Sequence, residues 1–192
     1  MHFRRDGAGM AALAVGDPMD AATEVGPLVT EVQRQEIAGQ VDDAREKGAT
    51  VVCGGSAPDG PGWYYAPTVL VDLTTEMRVL KEEVFGPVAT IERVADVEEA
   101  IRVANRTQYG LGSSVWTTDD AECARLVEGI EAGQVFVNGM VASAPELPFG
   151  GIKRSGYGRE LSDMGIKEFM NAKSVRADVQ GGVVPRPGTT SE

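Results

Sequence analysis

The most constraining feature of this sequence is the alternation between residues 88 and 138. Val88 to Val94 is rich in apolar and β-branched residues, Asp96 to Arg106 carries Val97, Ile101 and Ala104 at helical spacing, and Leu111 to Trp116 is again strand-like. Asp119, with Glu122 three residues on, opens a second helix that runs to about Glu131, and Gln134 to Asn138 closes with a third strand. Parallel neighbours in a sheet need a crossover, and an intervening helix supplies it, so strand, helix, strand, helix, strand reads as consecutive βαβ units. The expected class is α/β, with a largely parallel sheet flanked by helices.

Upstream of this block, Ile37, Val41 and Ala44 recur at helical spacing between Thr30 and Lys47, Thr30 and Gln33 form a capping box, and Gly48 ends the helix. Ala49 to Cys53 reads as a short buried strand. Tyr64 to Val71 reads as another extended segment, which Pro67, lacking an N–H, is expected to keep at a sheet edge. After Asn138 the texture changes: residues 139–158 hold Gly139, Gly150, Gly151, Gly156 and Gly158 with Pro145 and Pro148, a long loop of the kind that carries function. A helix is expected from Arg159 to about Asn171, a last strand from Ser174 to Val179, and a tail from residue 180.

Cys53 closes an apolar run against Gly54 and Gly55, as a nucleophile on a tight turn would. A reactive thiol needs a cation, a helix N-terminus, a metal or a base beside it, yet the neighbours are valines and glycines and the sole histidine is His2. Cys53 and Cys123 therefore read as structural thiols, and two cysteines some seventy positions apart make neither a disulfide framework nor a metal site. Eighteen basic against twenty-nine acidic side chains leave a net charge of -11, which repels phosphate backbones and offers no polybasic membrane patch. No run approaches the length of a membrane span, and the start lacks the apolar stretch of a signal peptide. The chain reads as a cytoplasmic protein that binds neither nucleic acid nor membrane.

Two segments carry candidate chemistry. In Lys81-Glu82-Glu83-Val84-Phe85-Gly86-Pro87-Val88, adjacent carboxylates point in different directions, so one of them can face a pocket and accept hydrogen bonds from ribose hydroxyls. A solvated acidic turn explains the same residues as well. In Pro148-Phe149-Gly150-Gly151-Ile152-Lys153-Arg154-Ser155-Gly156-Tyr157-Gly158-Arg159-Glu160, the glycines permit close backbone approach around one aromatic, as a plain glycine-rich connector also would. Neither phosphate-binding glycine pattern occurs here.

Taken together and in order, Glu82-Glu83-Val84-Phe85-Gly86-Pro87-Val88, Val137-Asn138-Gly139 and the Pro148 to Glu160 segment resemble the C-terminal part of the NAD(P)-dependent aldehyde dehydrogenase superfamily. Val15-Gly16-Asp17-Pro18, Gly26-Pro27-Leu28 and Pro67-Thr68-Val69-Leu70 fit the same pattern, from about residue 8 to 178. Asn138 to Ser143, followed by Leu147 to Gly151, is similar to the succinate-semialdehyde dehydrogenases. The resemblance implies that Glu83 and Phe85 hold and flank the nicotinamide ribose, that Phe149 lines the aldehyde pocket, and that Ser143 anchors the substrate carboxylate. It implies NAD or NADP as cofactor in the intact enzyme, a small aldehyde as substrate, and a strand at Ser174 to Val179 that pairs with a neighbouring subunit. Gln33 lies in a segment able to reach the cofactor, but its capping role accounts for it.

In the family the nucleophilic cysteine, the general-base glutamate and the dinucleotide-binding domain lie upstream of the Gly-Asp-Pro segment. The resemblance therefore implies an N-terminally truncated catalytic lobe at residues 1–173, an oligomerisation strand at 174–179 and a tail at 180–192. Residues 1–6 do not read as the helix that precedes this point in the family. No residue here is expected to be the catalytic nucleophile, and the chain alone is expected to be inactive and to bind no cofactor tightly. Two further readings follow from the same start: half of a split enzyme, or a non-catalytic partner subunit of a full-length homologue.

Overall fold

The computed structural model describes residues 3–176. Its first region is built around helix α2 (Glu31–Glu46), which lays Ile37, Val41 and Ala44 against a three-stranded sheet of β1 (Thr50–Cys53), β2 (Thr68–Val71) and β3 (Val88–Thr90). Thr30 caps α2 by accepting from the Gln33 N–H at 3.2 Å. Gly48, at φ +99, turns the chain out of the helix in the left-handed conformation expected after a C-cap. Tyr65, Leu70, Met77 and Val79 complete the core.

The sheet departs from expectation in a way that locates the core. β2 is its central strand, antiparallel to β1 and parallel to β3, and all four of its residues are buried. Pro67 does not force an edge because it stands one residue ahead of the ladder, where no N–H is required. The ladder to β3 opens with Thr68 N–H donating to Pro87 O at 2.8 Å. β3 ends at Thr90 rather than Val94, with only the Ile91 N–H continuing to Leu70 O.

Helix α1 (Phe3–Ala11) lies on β1, with Gly7 so close to the strand that an added Cβ would stand 2.5 Å from Val52 Cγ1. Residues 3–6, which did not read as the family's helix, are helical nonetheless as the start of α1.

The second region holds α3 (Val97–Asn105), β4 (Tyr109–Gly110), β5 (Gly112–Val115), α4 (Asp120–Gly129), β6 (Gln134–Val137), β7 (Ile152–Lys153) and α5 (Ser162–Glu168). Asp96 and Asp119 cap α3 and α4, accepting from the N–H groups of Glu99 and Glu122 at 2.8 Å each, as their spacing predicts. β5 and β6 are parallel around α4, which is the expected βαβ unit. The expected single sheet does not form among the described residues: β3 pairs with β2, β5 with β6, and β4 antiparallel with β7. Periodicity identifies strands, but pairing is decided by partners distant in sequence.

The last expected helix is shortened to α5, because the Phe149 backbone claims Glu160 as a bridge partner and Leu161 adopts φ +60. Residues 174–176 are irregular rather than strand, and the remainder of the expected last strand, 177–179, lies outside the described residues. No helix among the described residues is long and apolar enough to cross a membrane.

Candidate functional site

The Lys81 to Val88 turn leaves a short 3-10 turn (Arg78–Leu80) and is fastened to α2 at several points. Gly86 rests on the core, where an added Cβ would stand 2.3 Å from Ile37 Cδ1. Gln33 accepts from the Val29 N–H rather than from its cap residue, and its Nε2 donates to Phe85 O. The capping box is thus half formed, and the amide freed from it ties the helix to the turn. Gln40 Nε2 donates to Glu82 Oε2 at 3.1 Å and to Glu83 O at 3.3 Å.

The adjacent carboxylates part as expected: both are exposed, but it is Glu82 that turns to α2 and Arg78. Arg78 Nε donates to both of its oxygens, at 2.9 and 3.0 Å, while Nη2 reaches Glu82 at 2.8 Å and also pairs with Glu36. These Arg78 bonds, then Gln40, hold the Glu82 carboxyl below its ordinary pKa. Reciprocally, Glu82 raises the Arg78 guanidinium pKa against the opposing effect of partial burial. The Glu83 carboxylate has no partner among the described residues, and the Phe85 ring is 70% exposed.

Val137-Asn138-Gly139 has a local structural reason. Asn138 takes φ +51, which Asn tolerates, and its side chain clasps Thr117 both ways: Oδ1 accepts from the Thr117 N–H at 3.0 Å and Nδ2 donates to Thr117 O at 2.9 Å. Beyond it, Ser143 is exposed and borders neither hollow of the following loop. Phe149 exchanges backbone hydrogen bonds with Glu160, at 2.8 and 2.6 Å, and Arg159 Nη1 donates to Gly151 O and Gly158 O. This bridge puts Phe149 at a hollow of about 350 Å3 that Leu111, Tyr157, Arg159, Glu168 and Phe169 also line. A second hollow, of about 430 Å3, lies over β6 between Gln134, Phe136, Leu147, Pro148 and Met164. Glu83 and Phe85 border neither hollow. The two segments are joined through Gln108, which donates to Lys81 O at 2.8 Å and accepts at Oε1 from Arg154 at 2.8 Å.

Cys53 pairs with Val69 at the end of β1, and its thiol lies 3.7 Å from Pro67 O. The glycine pair after it forms a tight junction. Gly54 has φ +69 with no room for a Cβ beside Pro67 O, Gly55 N–H donates to Thr68 Oγ1, and Arg45 donates to Gly55 O. Cys123 is half-buried within α4. Among the described residues no cluster of His, Cys, Asp and Glu is placed to hold a metal.

The model of the aldehyde dehydrogenase family matches residues 5–175. The chain belongs to that family. Among its relatives, the succinate-semialdehyde dehydrogenase (NADP+) 1 of Mycobacterium ulcerans is 62% identical over 166 residues, covering 86% of this chain and 36% of that protein. The protein of the same name from Mycobacterium tuberculosis is 58% identical over an equal span, with the same coverage. A solved structure of betaine aldehyde dehydrogenase from Staphylococcus aureus, in complex with NAD+, superposes with a TM-score of 0.80 at 36% identity, over 84% of this chain and 33% of that one. The α/β architecture described above is therefore that of aldehyde dehydrogenases, and the chain spans about a third of the length of the relatives it matches.

Proposed function

We propose that residues 1–173 are the C-terminal catalytic lobe of an enzyme that oxidises succinate semialdehyde to the acid with NADP+, the reactive thiolate coming from outside these 192 residues. The observation that carries this is the division of labour in the Lys81 to Val88 turn. The Glu82 carboxylate and the carbonyls of Glu83 and Phe85 are engaged by α2 and Arg78, which leaves the Glu83 carboxylate without a partner among the described residues and the Phe85 side chain exposed. An ionised carboxylate accepts hydrogen bonds only, which suits the hydroxyls of a ribose, and an exposed ring suits the flank of a flat nicotinamide. The cofactor, when bound, accepts the hydride.

Phe149 walls the aldehyde, with its position set by the Glu160 bridge, and the Ser143 hydroxyl donates to the substrate's distal carboxylate. Both roles rest on the resemblance of the Asn138 to Ser143 and Pro148 to Glu160 motifs to the family. NADP+ is preferred to NAD+, since the Mycobacterium relatives are NADP+ enzymes by name. Residues 174–179 are proposed to pair with a neighbouring subunit. If the remaining part of the enzyme is a separate chain, this one is its assembly partner and the same walls serve.

The test is a graft in which residues 5–175 replace the matching segment of the Mycobacterium ulcerans relative. The graft is expected to oxidise succinate semialdehyde with NADP+. Glu83→Gln is expected to raise the KM for NADP+ about tenfold, as loss of a charge-assisted hydrogen bond does. Ser143→Ala is expected to raise the KM for succinate semialdehyde and leave that for butanal, which lacks the carboxylate, unchanged. A folded graft without activity, or equal effects of Ser143→Ala on both aldehydes, overturns the reading.

A further inference from the structure

One buried polar group is left over by the packing of α2. Ile37, Val41 and Ala44 form the apolar stripe of that helix, and Gln40 stands within the same stripe, 2% exposed. An amide placed there loses its hydration and must be repaid in hydrogen bonds. Its Nε2 is satisfied by Glu82 Oε2 and Glu83 O, but Oε1 is buried with no partner among the described residues. A methionine of equal length would fill the space with no unsatisfied atom of its own, but it would take from Glu83 O and Glu82 Oε2 the donor that Gln40 gives them, so what the glutamine adds at this position is its hold on the turn.

The bonds that Gln40 does make all go to the two residues immediately ahead of Val84 and Phe85. Arg78 closes on the same Glu82 carboxylate from the other side, with its own N–H fixed by Asp43 Oδ2 at 2.9 Å and its Nη2 also paired to Glu36. Glu82 is therefore gripped between a buried amide and a guanidinium, while the backbone carbonyl of the next residue is held by that same amide. A carbonyl fixed in this way fixes the peptide plane that follows, and with it the direction in which the Glu83 side chain leaves the turn.

We infer that Gln40, acting with Arg78 on Glu82, is a positioning residue that sets the pose of Glu83 and Phe85. The inference rests on the role proposed above for those two residues. Pre-fixing a carboxylate in the pose it needs removes an ordering cost from binding, which is what an unsatisfied buried amide can be retained for. Gln40 touches neither ligand; it acts through the turn.

The decisive measurement is amide hydrogen exchange on the full 192-residue chain, comparing the parent with Gln40→Met and Arg78→Lys. The amides of Glu82, Gly86 and Val88 are hydrogen-bonded to Arg78 O, Val84 O and Gly86 O, so the turn has protection to lose. Both variants are expected to speed exchange in the turn about tenfold, the loss of one hydrogen bond to a charged group. In Gln40→Met the amides of β2 are expected to be unchanged and the urea midpoint equal or higher. Unchanged exchange in the turn, or acceleration shared equally with β2, overturns the inference, the second outcome marking Gln40 as an ordinary core residue. In the active graft, Gln40→Met is expected to raise the KM for NADP+ severalfold without changing that for succinate semialdehyde, and equal KM values also overturn it. A graft inactive whatever stands at position 40 defeats the functional reading and leaves the exchange result standing, so the two failures are distinguishable.

Discussion

On one side of Ile91, α2 and the β1, β2, β3 sheet enclose Ile37, Val41, Tyr65, Leu70 and Met77 almost completely; on the other side, Val115 is the one buried large apolar residue among those described. The two regions have similar numbers of elements, and α2 in the first and α3 and α4 in the second each have a side-chain N-cap, yet they are ordered by different means. The first is held by side chains removed from water, the dominant favourable term in folding. The second is held by backbone and by short polar clasps. Gly133 N–H donates to Gly110 O, Gly133 lies against Gly150 O, Asn105 bonds Gly129 O and the Glu131 N–H, and Lys153 reaches Asn105 O and Thr107 O. Several of its apolar side chains, Val127, Val137, Met140 and Phe169 among them, stand open to solvent, and Ile101, Val135 and Phe136 are half-buried. Apolar patterning can thus specify an element without guaranteeing that the element is covered.

The sharpest way to break this contrast is a matched truncation. Leu70→Ala, at a side chain wholly removed from solvent, is expected to cost about 3 kcal/mol, and Val137→Ala, 45% exposed, under about 1 kcal/mol. Urea midpoints at constant slope measure both, and equal losses mean the second region has a core of its own. Next in size is Gly133→Ala. The added Cβ would stand 1.8 Å from Gly150 O, backbone that cannot swing aside, so a cost of about 1–3 kcal/mol is expected. Exchange should rise around Gly110 and Ile152 and stay unchanged in β2; no change in either place would mean that the close approach is not what orders the loop.

The caps sharpen the comparison. Thr30→Ala is expected to lower the main unfolding transition by about 1 kcal/mol, because α2 belongs to the core. Asp119→Ala removes an equivalent bond but is expected to act on exchange within α4 more than on that transition, as stability differs between parts of a structure. If both variants shift the main transition alike, the two regions unfold as one unit.

Among the solvated carboxylates the expected effect is smaller still. Asp43 is held below its ordinary pKa by Lys47 and then by the Arg78 N–H, Glu76 by Lys81, Glu82 by Arg78 and Glu31 by Arg34; in the second region Asp163 is held down by Lys167. A carboxyl depressed in the folded state adds stability above its unfolded pKa, about 4, and loses it as pH falls through the folded value. Acid titration below that point is therefore expected to loosen the first region somewhat more, a modest effect because these groups are largely solvated. At the other end, burial and then Asp42 push Tyr65 up to about 12. A phenol raised in the folded state adds stability below its unfolded pKa, about 10, that is lost as pH rises toward 12, and Tyr65→Phe is expected to remove that alkaline limb. An unchanged limb would place the titration elsewhere.

Much of this was legible in the chain. Helices α2, α3 and α4 fall where capping residues and apolar spacing put them, the β5, α4, β6 unit is parallel as alternation requires, and the ordered motifs carried the family. Less was legible where the information lies between segments. Gln33 read as a cap, and only the fold reveals that its amide goes to Phe85 O. Gln40 gave a signal that was there to be read, a polar residue in an apolar stripe, but its partners are more than forty positions away. Glu83 and Phe85 were named from motif, and only the fold reveals that the neighbouring Glu82 is the carboxylate engaged by Arg78 and Gln40.

The sequence by itself determined the class of fold, the positions of the main helices and the family, because caps, periodicity and motifs are local patterns written in consecutive residues. Only the tertiary structure decided that β2 is central despite Pro67, that β3 joins β2 rather than β5, that residues 3–11 form a helix on β1, and that Cys53 ends in a glycine junction. Each of those depends on which distant backbone groups find each other, and in a strand every residue offers an N–H and a C=O of the same kind. The choice among partners is made by burial and close approach, and those exist only once the chain has folded.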